Sequence, residues 1–182
     1  MLFKGSKKRP TAKEISEYVD GIGGEFNAST AKDYTNYYVK CRSSDLEKAF
    51  DVLSDMVINP VLSEEEINRE KGTIIEEIKM YEDTPLMKIG DVFEEVIYSG
   101  SSLQFDIAGT EKTVKNMQKD DFLSYRESYY YTDNITISAV GGVDEKEVIK
   151  LVEKYFKDLP KKTKSKNVYL PFTANQIEKQ IK

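Results

Sequence analysis

The chain has 182 residues and 39% of them are hydrophobic, which is enough for one domain with a buried core. Its net charge is −5 with acidic and basic residues interspersed, which excludes the clustered basic surface of a nucleic-acid-binding protein. The sequence has no apolar run of the roughly 20 residues that a membrane span needs, and its first residues have no apolar signal-peptide core. We therefore expect a cytoplasmic location.

The first third of the chain predicts a helix followed by a β-hairpin. Apolar residues recur at helical spacing from Thr11 to Ile22, and Thr11 with Glu14 matches the capping-box pattern. Residues 25–29 then look extended, and apolar and polar residues alternate from Thr35 to Cys41. The two extended runs are expected to pair.

Helical periodicity dominates the rest of the chain, with one further strand predicted at residues 135–140. The predicted helices cover residues 44–58, 63–82, 86–98, 118–130 and 144–156. This order indicates an α+β fold with a mixed, largely antiparallel sheet and helices packed on one of its faces. A basic run after Leu159-Pro160 predicts a solvated linker.

Glu70 and Glu77 lie one heptad apart on the predicted helix 63–82. Seven residues turn a helix through about 700°, so both carboxylates project from nearly the same side. They lie on the shoulder of an apolar stripe, so we expect both to be partly buried and to need a metal ion, an arginine or a donor network as partner. Ordinary surface pairs with lysine or arginine are the alternative that physical chemistry alone favours. The stripe consists of Ile67, Ile74, Ile78 and Tyr81.

Several segments together resemble one family of enzymes. The clearest are Met1-Leu2-Phe3-Lys4-Gly5, Gly23-Gly24-Glu25-Phe26-Asn27-Ala28-Ser29-Thr30, and Ile75-Glu76-Glu77-Ile78-Lys79-Met80-Tyr81-Glu82-Asp83. The chain resembles the pitrilysin, insulinase and mitochondrial-processing-peptidase group (M16) of zinc metallopeptidases, whose H-x-x-E-H motif is followed directly by a Met-Leu-Phe-Lys-Gly-like stretch. Shorter matches at residues 109–111, 129–134 and 141–143 extend the resemblance to about residue 160.

The resemblance implies a zinc site that this chain holds only in part. Glu77 matches the third zinc ligand of the family, Glu70 matches an acidic residue that supports the site, and Glu76 is expected to face solvent. The family's two histidine ligands and its glutamate general base would lie upstream of Met1, and the chain contains no histidine. We therefore expect no catalytic residue in this chain, no zinc bound to it in isolation, and no activity without the missing parts.

The resemblance also implies a peptide-binding strand. In the family, the strand that matches Asn27, Ala28, Ser29 and Thr30 looks like the edge on which an extended peptide substrate lies as an added strand. From the residues alone, the same stretch is simply a helix stop followed by a strand. An incomplete sheet would leave an edge exposed, and self-association through that edge is a further expectation.

Family members usually contain two related halves, and the resemblance implies that this chain is most of the first. Residues 1–160 would form an incomplete first domain, and residues 161–182 a linker and the start of the missing second half or partner subunit. Two hypotheses follow. The chain is either a truncated part of a zinc metalloendopeptidase that hydrolyses peptides with a metal-activated water, or a non-catalytic peptide-binding or assembly subunit of the same family.

Overall fold

The computed structural model describes residues 1–162, so most of the predicted linker and second-half segment at 161–182 lies outside the described residues. The chain divides into two compact units. Among the described residues, unit 1 contains 1–29, 35–67 and 118–162, and unit 2 contains 30–34 and 68–117. The domain boundary predicted at residue 160 stays a prediction.

Within residues 1–162, seven α-helices accompany a two-stranded antiparallel sheet. The helices are α1 (Ala12–Asp20), α2 (Leu46–Ile58), α3 (Glu64–Glu82), α4 (Pro85–Ile97), α5 (Glu111–Asn116), α6 (Lys119–Tyr129) and α7 (Glu145–Tyr155), and the strands are β1 (Glu25–Thr30) and β2 (Thr35–Lys40). This architecture confirms the predicted α+β class. No helix in this part of the chain has both the length and the apolar character that a membrane span requires.

Local sequence signals account for the start of unit 1. The Thr11 hydroxyl accepts a hydrogen bond from the Glu14 N–H, and the Glu14 carboxylate accepts one from the Thr11 N–H, so the predicted capping box is present. β1 and β2 pair as the predicted hairpin. Asn36 strengthens the pairing because its side-chain oxygen accepts from both the N–H and the hydroxyl of Ser29.

The core of unit 1 lies between α1, α2 and the hairpin. Ile15 and Val19 of α1 and Val52 and Met56 of α2 are almost completely buried. Burial of such side chains is the main stabilising term of a fold, at about 1.5–3 kcal/mol each. Partly buried apolar side chains complete this core, namely Phe3, Tyr18, Phe26 and Val39.

Unit 2 has a smaller core. Ile75 and Ile78 of α3 pack with Val114 of α5, and Ile74 packs against them. α4 has no buried residue, although its sequence is strongly amphipathic. Its most exposed apolar side chains are Leu86, Met87, Ile89 and Phe93.

Two predictions about secondary structure were wrong. Half-buried and exposed residues alternate along 135–140, as in a strand, but these residues form no strand in the described structure. A strand needs a hydrogen-bonded neighbour, and no described segment pairs with them. α5 was not predicted, since its six residues are too few for a clear period. Its start is nevertheless marked by Thr110, whose hydroxyl accepts from the Thr113 N–H.

Candidate metal and peptide-binding residues

α3 runs without a break from Glu64 to Glu82 and therefore carries both predicted acidic residues on one continuous helix. Glu70 is half-buried, as expected, whereas Glu77 is exposed, so the expectation that Glu77 is partly buried was wrong. The neighbouring buried positions are Ile75 and Ile78, which put Glu77 outside the apolar stripe rather than on its shoulder. Glu76 is exposed as predicted and pairs with Lys79, with 2.8 Å between carboxylate and ammonium.

The donors of this chain do not by themselves fit a catalytic zinc ion. Such a site needs three protein ligands, commonly histidine with a carboxylate, and the sequence has no histidine. Across residues 1–162, no three side chains of the types His, Cys, Asp and Glu are grouped so that they could hold a metal. An exposed carboxylate at Glu77 can offer one protein ligand, and among residues 1–162 no group of three donor side chains includes it.

β1 presents the predicted peptide-binding residues along one strand. Phe26 and Ala28 are half-buried, whereas Asn27, Ser29 and Thr30 are exposed. In the described part of the chain β1 pairs only with β2, so no strand covers its second edge there. An edge strand of this kind can accept an extended peptide through main-chain hydrogen bonds.

Asn27 has a specific effect on that edge. Its side-chain oxygen accepts a hydrogen bond of 2.8 Å from the N–H of Ala28, the next residue in the strand. A peptide carbonyl that pairs with this N–H must therefore displace the Asn27 side chain. Because one hydrogen bond replaces another, the net gain at this position is smaller than at an N–H that has no partner in the free chain.

The turn between β1 and β2 is held by Lys32. Its ammonium group lies 2.8 Å from the Glu94 carboxylate and donates to the carbonyl oxygens of Leu103 and Phe105 at 2.9 and 2.7 Å. All these residues belong to unit 2. The sequence does not predict this role of Lys32, because no local pattern links it to partners more than 60 residues away.

A second missed feature is a buried polar cluster around the segment 1–9 in unit 1. Asp55 of α2 accepts from the Ser6 hydroxyl at 2.5 Å and from the Lys8 N–H at 3.0 Å. Arg9 is buried and pairs with Asp51, and its guanidinium stacks 3.7 Å from the centre of the Tyr18 ring. A usable signal existed, because Asp51 and Asp55 are acidic residues four apart in the stretch 49–58, where every other residue except Ser54 is apolar.

The electrostatics of this cluster favour its charged form. Burial alone raises the pKa of the Asp51 carboxyl, but hydrogen bonds and positive charge from Lys8 and Arg9 outweigh it and hold that pKa below its ordinary value. Elsewhere in unit 1, burial and a 2.9 Å hydrogen bond between the hydroxyls of Tyr37 and Tyr130 raise the pKa of Tyr37. Tyr37 is therefore neutral at ordinary pH.

Comparison with protein-family models identifies two adjoining matches. Residues 1–111 match the family described as insulinase (peptidase family M16), and residues 116–182 match the one described as the peptidase M16 inactive domain. The first match includes β1, α3 and α4 and covers more than half of the chain.

Curated relatives are longer than this chain. It is 39% identical over 171 residues to the uncharacterized zinc protease YmxG of Bacillus subtilis, which is 94% of this chain and 41% of that protein. It is 30% identical to mitochondrial-processing peptidase subunit beta of Caenorhabditis elegans, over 98% of this chain and 38% of that protein. The chain thus spans about two fifths of the length of these relatives.

Solved structures share the fold. A crystal structure of a protease from Helicobacter pylori superimposes with a TM-score of 0.84 over 94% of this chain and 41% of that chain, at 24% identity. Pitrilysin superimposes with a TM-score of 0.78 over 94% of this chain and 19% of that chain, at 26% identity.

Proposed function

We propose that this chain, which belongs to the insulinase family of peptidases (family M16), is the peptide-docking part of a zinc-dependent endopeptidase. The observation that carries the proposal is the family match over residues 1–111, which contains both the exposed strand β1 and the acidic helix α3. Relatives named as zinc proteases support the same reaction class. The chain's own donors do not fit a zinc site, so in this proposal the remaining ligands and the general base would come from residues outside this sequence.

β1 would hold the substrate as an added strand. The exposed Asn27, Ser29 and Thr30 and the uncovered edge among the described residues support this role. Recognition through main-chain groups is tolerant of sequence, which suits an enzyme that accepts varied extended peptides. The Asn27 side chain would protect the Ala28 N–H until a peptide carbonyl replaces it.

Glu77 would supply one carboxylate to the metal site, and Glu70 would support it from one heptad earlier. The exposure of Glu77 supports this assignment, because a ligand to a metal held partly by other residues must be accessible in this chain. Glu70 is half-buried, which suits a residue that would support the ligand Glu77 without binding the metal itself.

Activity assays on a version extended to the length of the curated relatives test the metal assignment. Glu77→Gln should lower the rate of peptide cleavage by on the order of 100-fold and reduce the zinc content, because a ligand is lost. Glu76→Gln is the matched control and removes only a surface pair with Lys79, so it should retain full activity. Equal activity of the two variants would reject Glu77.

Binding to this chain tests the peptide-docking assignment without metal. Amide chemical-shift mapping with an unstructured peptide should show perturbations along 25–30. Ala28→Pro removes the N–H and should weaken binding, whereas Ala28→Gly keeps it and should not. Shifts confined to α7, with none near Asn27, would refute docking on β1.

A non-catalytic peptide-binding or assembly subunit is the second candidate function. It is favoured by the absence of histidine and by the inactive-domain match over residues 116–182. If the extended version holds no zinc and still binds peptide on β1, this candidate replaces the enzyme. In either case we propose a second half-domain or partner subunit as the binding partner, and self-association through the open edge of β1 and a cytoplasmic location stay predictions.

A further inference from the structure

Lys32 differs in its surroundings from the lysines that form ordinary surface pairs. Its side chain is 25% exposed, against 61% for Lys115 and 50% for Lys79, which each pair with a carboxylate on their own helix. An ammonium group has three N–H donors, and Lys32 directs them to one carboxylate and two main-chain carbonyl oxygens. All three donors of the group are therefore used, by acceptors on two separate parts of unit 2.

These two parts are α4 and the short loop at residues 103–105, and Lys32 joins the hairpin turn to both. A main-chain hydrogen bond also closes the turn, from the Ala31 N–H to the Tyr34 carbonyl oxygen at 2.8 Å. Asp33 and Tyr34 are exposed and add little packing. The order of the turn thus depends to a large degree on the Lys32 contacts.

We propose that Lys32 is a positioning residue for peptide docking, which acts as a latch on the turn that directly follows β1. This inference rests on the proposed function, since it concerns the strand to which the peptide would bind. A peptide that adds to a strand gains main-chain hydrogen bonds only if that strand is already ordered, and any ordering that occurs on binding reduces the affinity. By fixing residues 31–34, Lys32 keeps the end of β1 at Ser29 and Thr30 in the extended conformation that pairing requires.

The latch requires both charge and reach. Methionine has nearly the same length as lysine but no donors, so Lys32→Met removes all three contacts and keeps the bulk. Arginine keeps the charge and has five donors, so Lys32→Arg should restore the pair with Glu94 and at least one carbonyl contact. Lys13→Met is the control, because Lys13 is 80% exposed and pairs with Glu17 of its own helix.

The test uses this chain, with an unstructured peptide of alternating alanine and serine flanked by lysines as the probe. In Lys32→Met, amide hydrogen exchange at residues 29–34 and 103–105 should be about tenfold faster than in the unaltered chain. The dissociation constant of the peptide should rise by about fivefold. Lys32→Arg should recover most of both effects, and Lys13→Met should show neither.

The outcomes separate this inference from the proposed function. If the unaltered chain binds the peptide on β1 and Lys32→Met binds it equally well, the latch is overturned while the docking strand stands. If exchange rises in Lys32→Met but affinity does not change, Lys32 is a structural contact only and the positioning role is overturned. If the unaltered chain shows no shifts along 25–30, the proposed docking strand is refuted, and the positioning role falls with it.

Discussion

Units 1 and 2 differ in whether they enclose an ion pair. Unit 1 has surface pairs such as Lys13 with Glu17, but it also encloses the pair of Arg9 with Asp55, whose side chains are 9% and 1% exposed. In unit 2 the pairs that link lysine to a carboxylate of the same helix lie at the surface, as with Glu76 and Lys79. Buried pairs are costly to break, whereas surface pairs contribute about 0–1 kcal/mol.

The apolar residues show the same contrast. Unit 1 has four side chains that are 0–1% exposed in one cluster, whereas the three members of the unit 2 cluster are 7–9% exposed and α4 buries none. Regions with few buried contacts open at lower free energy than the global unfolding transition. Unit 1 is therefore the more rigid part of the described chain. Local opening should occur first in unit 2.

Removal of the Asp55 carboxylate should lower the free energy of unfolding more than any other substitution proposed below. Asp55→Ala leaves the buried Arg9 with one carboxylate fewer and takes the acceptor from the Ser6 hydroxyl, so we expect a loss of about 3–5 kcal/mol in the free energy of unfolding. Urea denaturation followed by circular dichroism measures it. The exposed Glu153→Ala is the control and should change stability by less than about 0.5 kcal/mol. A loss below about 1 kcal/mol for Asp55→Ala would contradict the contrast between the units.

Gly5 should tolerate no side chain. Its φ is +152°, and a Cβ there would lie 2.2 Å from the carbonyl oxygen of Pro10. Gly5→Ala should therefore cost about 3 kcal/mol, because the main chain must move. Gly23 also has a positive φ, of 63°, but open space around it, so Gly23→Ala should cost only about 1 kcal/mol. Equal costs in a paired denaturation experiment would show that the contact with Pro10 is unimportant.

The core of unit 2 should matter less than that of unit 1. Ile78→Ala truncates a side chain in the smaller cluster, and we expect about 2 kcal/mol, the low end for such a change. Hydrogen exchange should accelerate at residues 68–117 and stay unchanged in α1 and α2. Acceleration throughout the described residues would mean that the two units unfold as one.

Acid should weaken unit 1 through Asp51. Its pKa is lowered in the folded state, so the stability that it confers is present above the unfolded value of about 3.9 and is lost as the pH falls through the folded value. We expect the free energy of unfolding to decline below about pH 4. Asp51→Asn should make this decline shallower, and an unaltered slope would rule out Asp51 as its source.

Substitution on α4 should have the smallest effect on stability. Leu86 is 90% exposed, so Leu86→Ser should change the free energy of unfolding by less than about 0.5 kcal/mol. Denaturation curves that overlay those of the unaltered chain are the expected result. A loss above about 1 kcal/mol would show that α4 packs more tightly in solution than its exposure indicates.

Features that depend on neighbouring residues in the chain were predictable. The Thr11–Glu14 capping box and the hairpin depend on spacings of a few residues. The α+β class follows from the order of the predicted helices and strands along the chain. The family resemblance, which depends on short motifs in a fixed order, was also confirmed. Glu77, Glu70 and the residues of β1 stay predictions as functional residues, since their roles concern groups outside this sequence.

Features that depend on distant residues could not be predicted. The strand at 135–140 has the correct period but requires a partner, and periodicity does not say whether one is present. The exposure of Glu77 depends on which face of α3 meets α5. Periodicity predicts Ile74 in the buried stripe, whereas the structure buries Ile75 more completely. The Lys32 latch joins Lys32 to Leu103 and Phe105, which follow it in the chain by 71 and 73 positions.

The buried cluster around Ser6 and Asp55 has a consequence for synthesis. Ser6 and Asp55 are separated by 49 positions, and Lys7 donates to the carbonyl of Asn59. On the ribosome, residues 1–9 are therefore made before Asp55 and Asn59, so the Ser6 hydroxyl and the Lys7 N–H lack these native acceptors until translation has passed residue 60. Since such distant pairings carry a loop-closure cost before they stabilise anything, completion of α2 should be the step that allows the N-terminal part of unit 1 to fold.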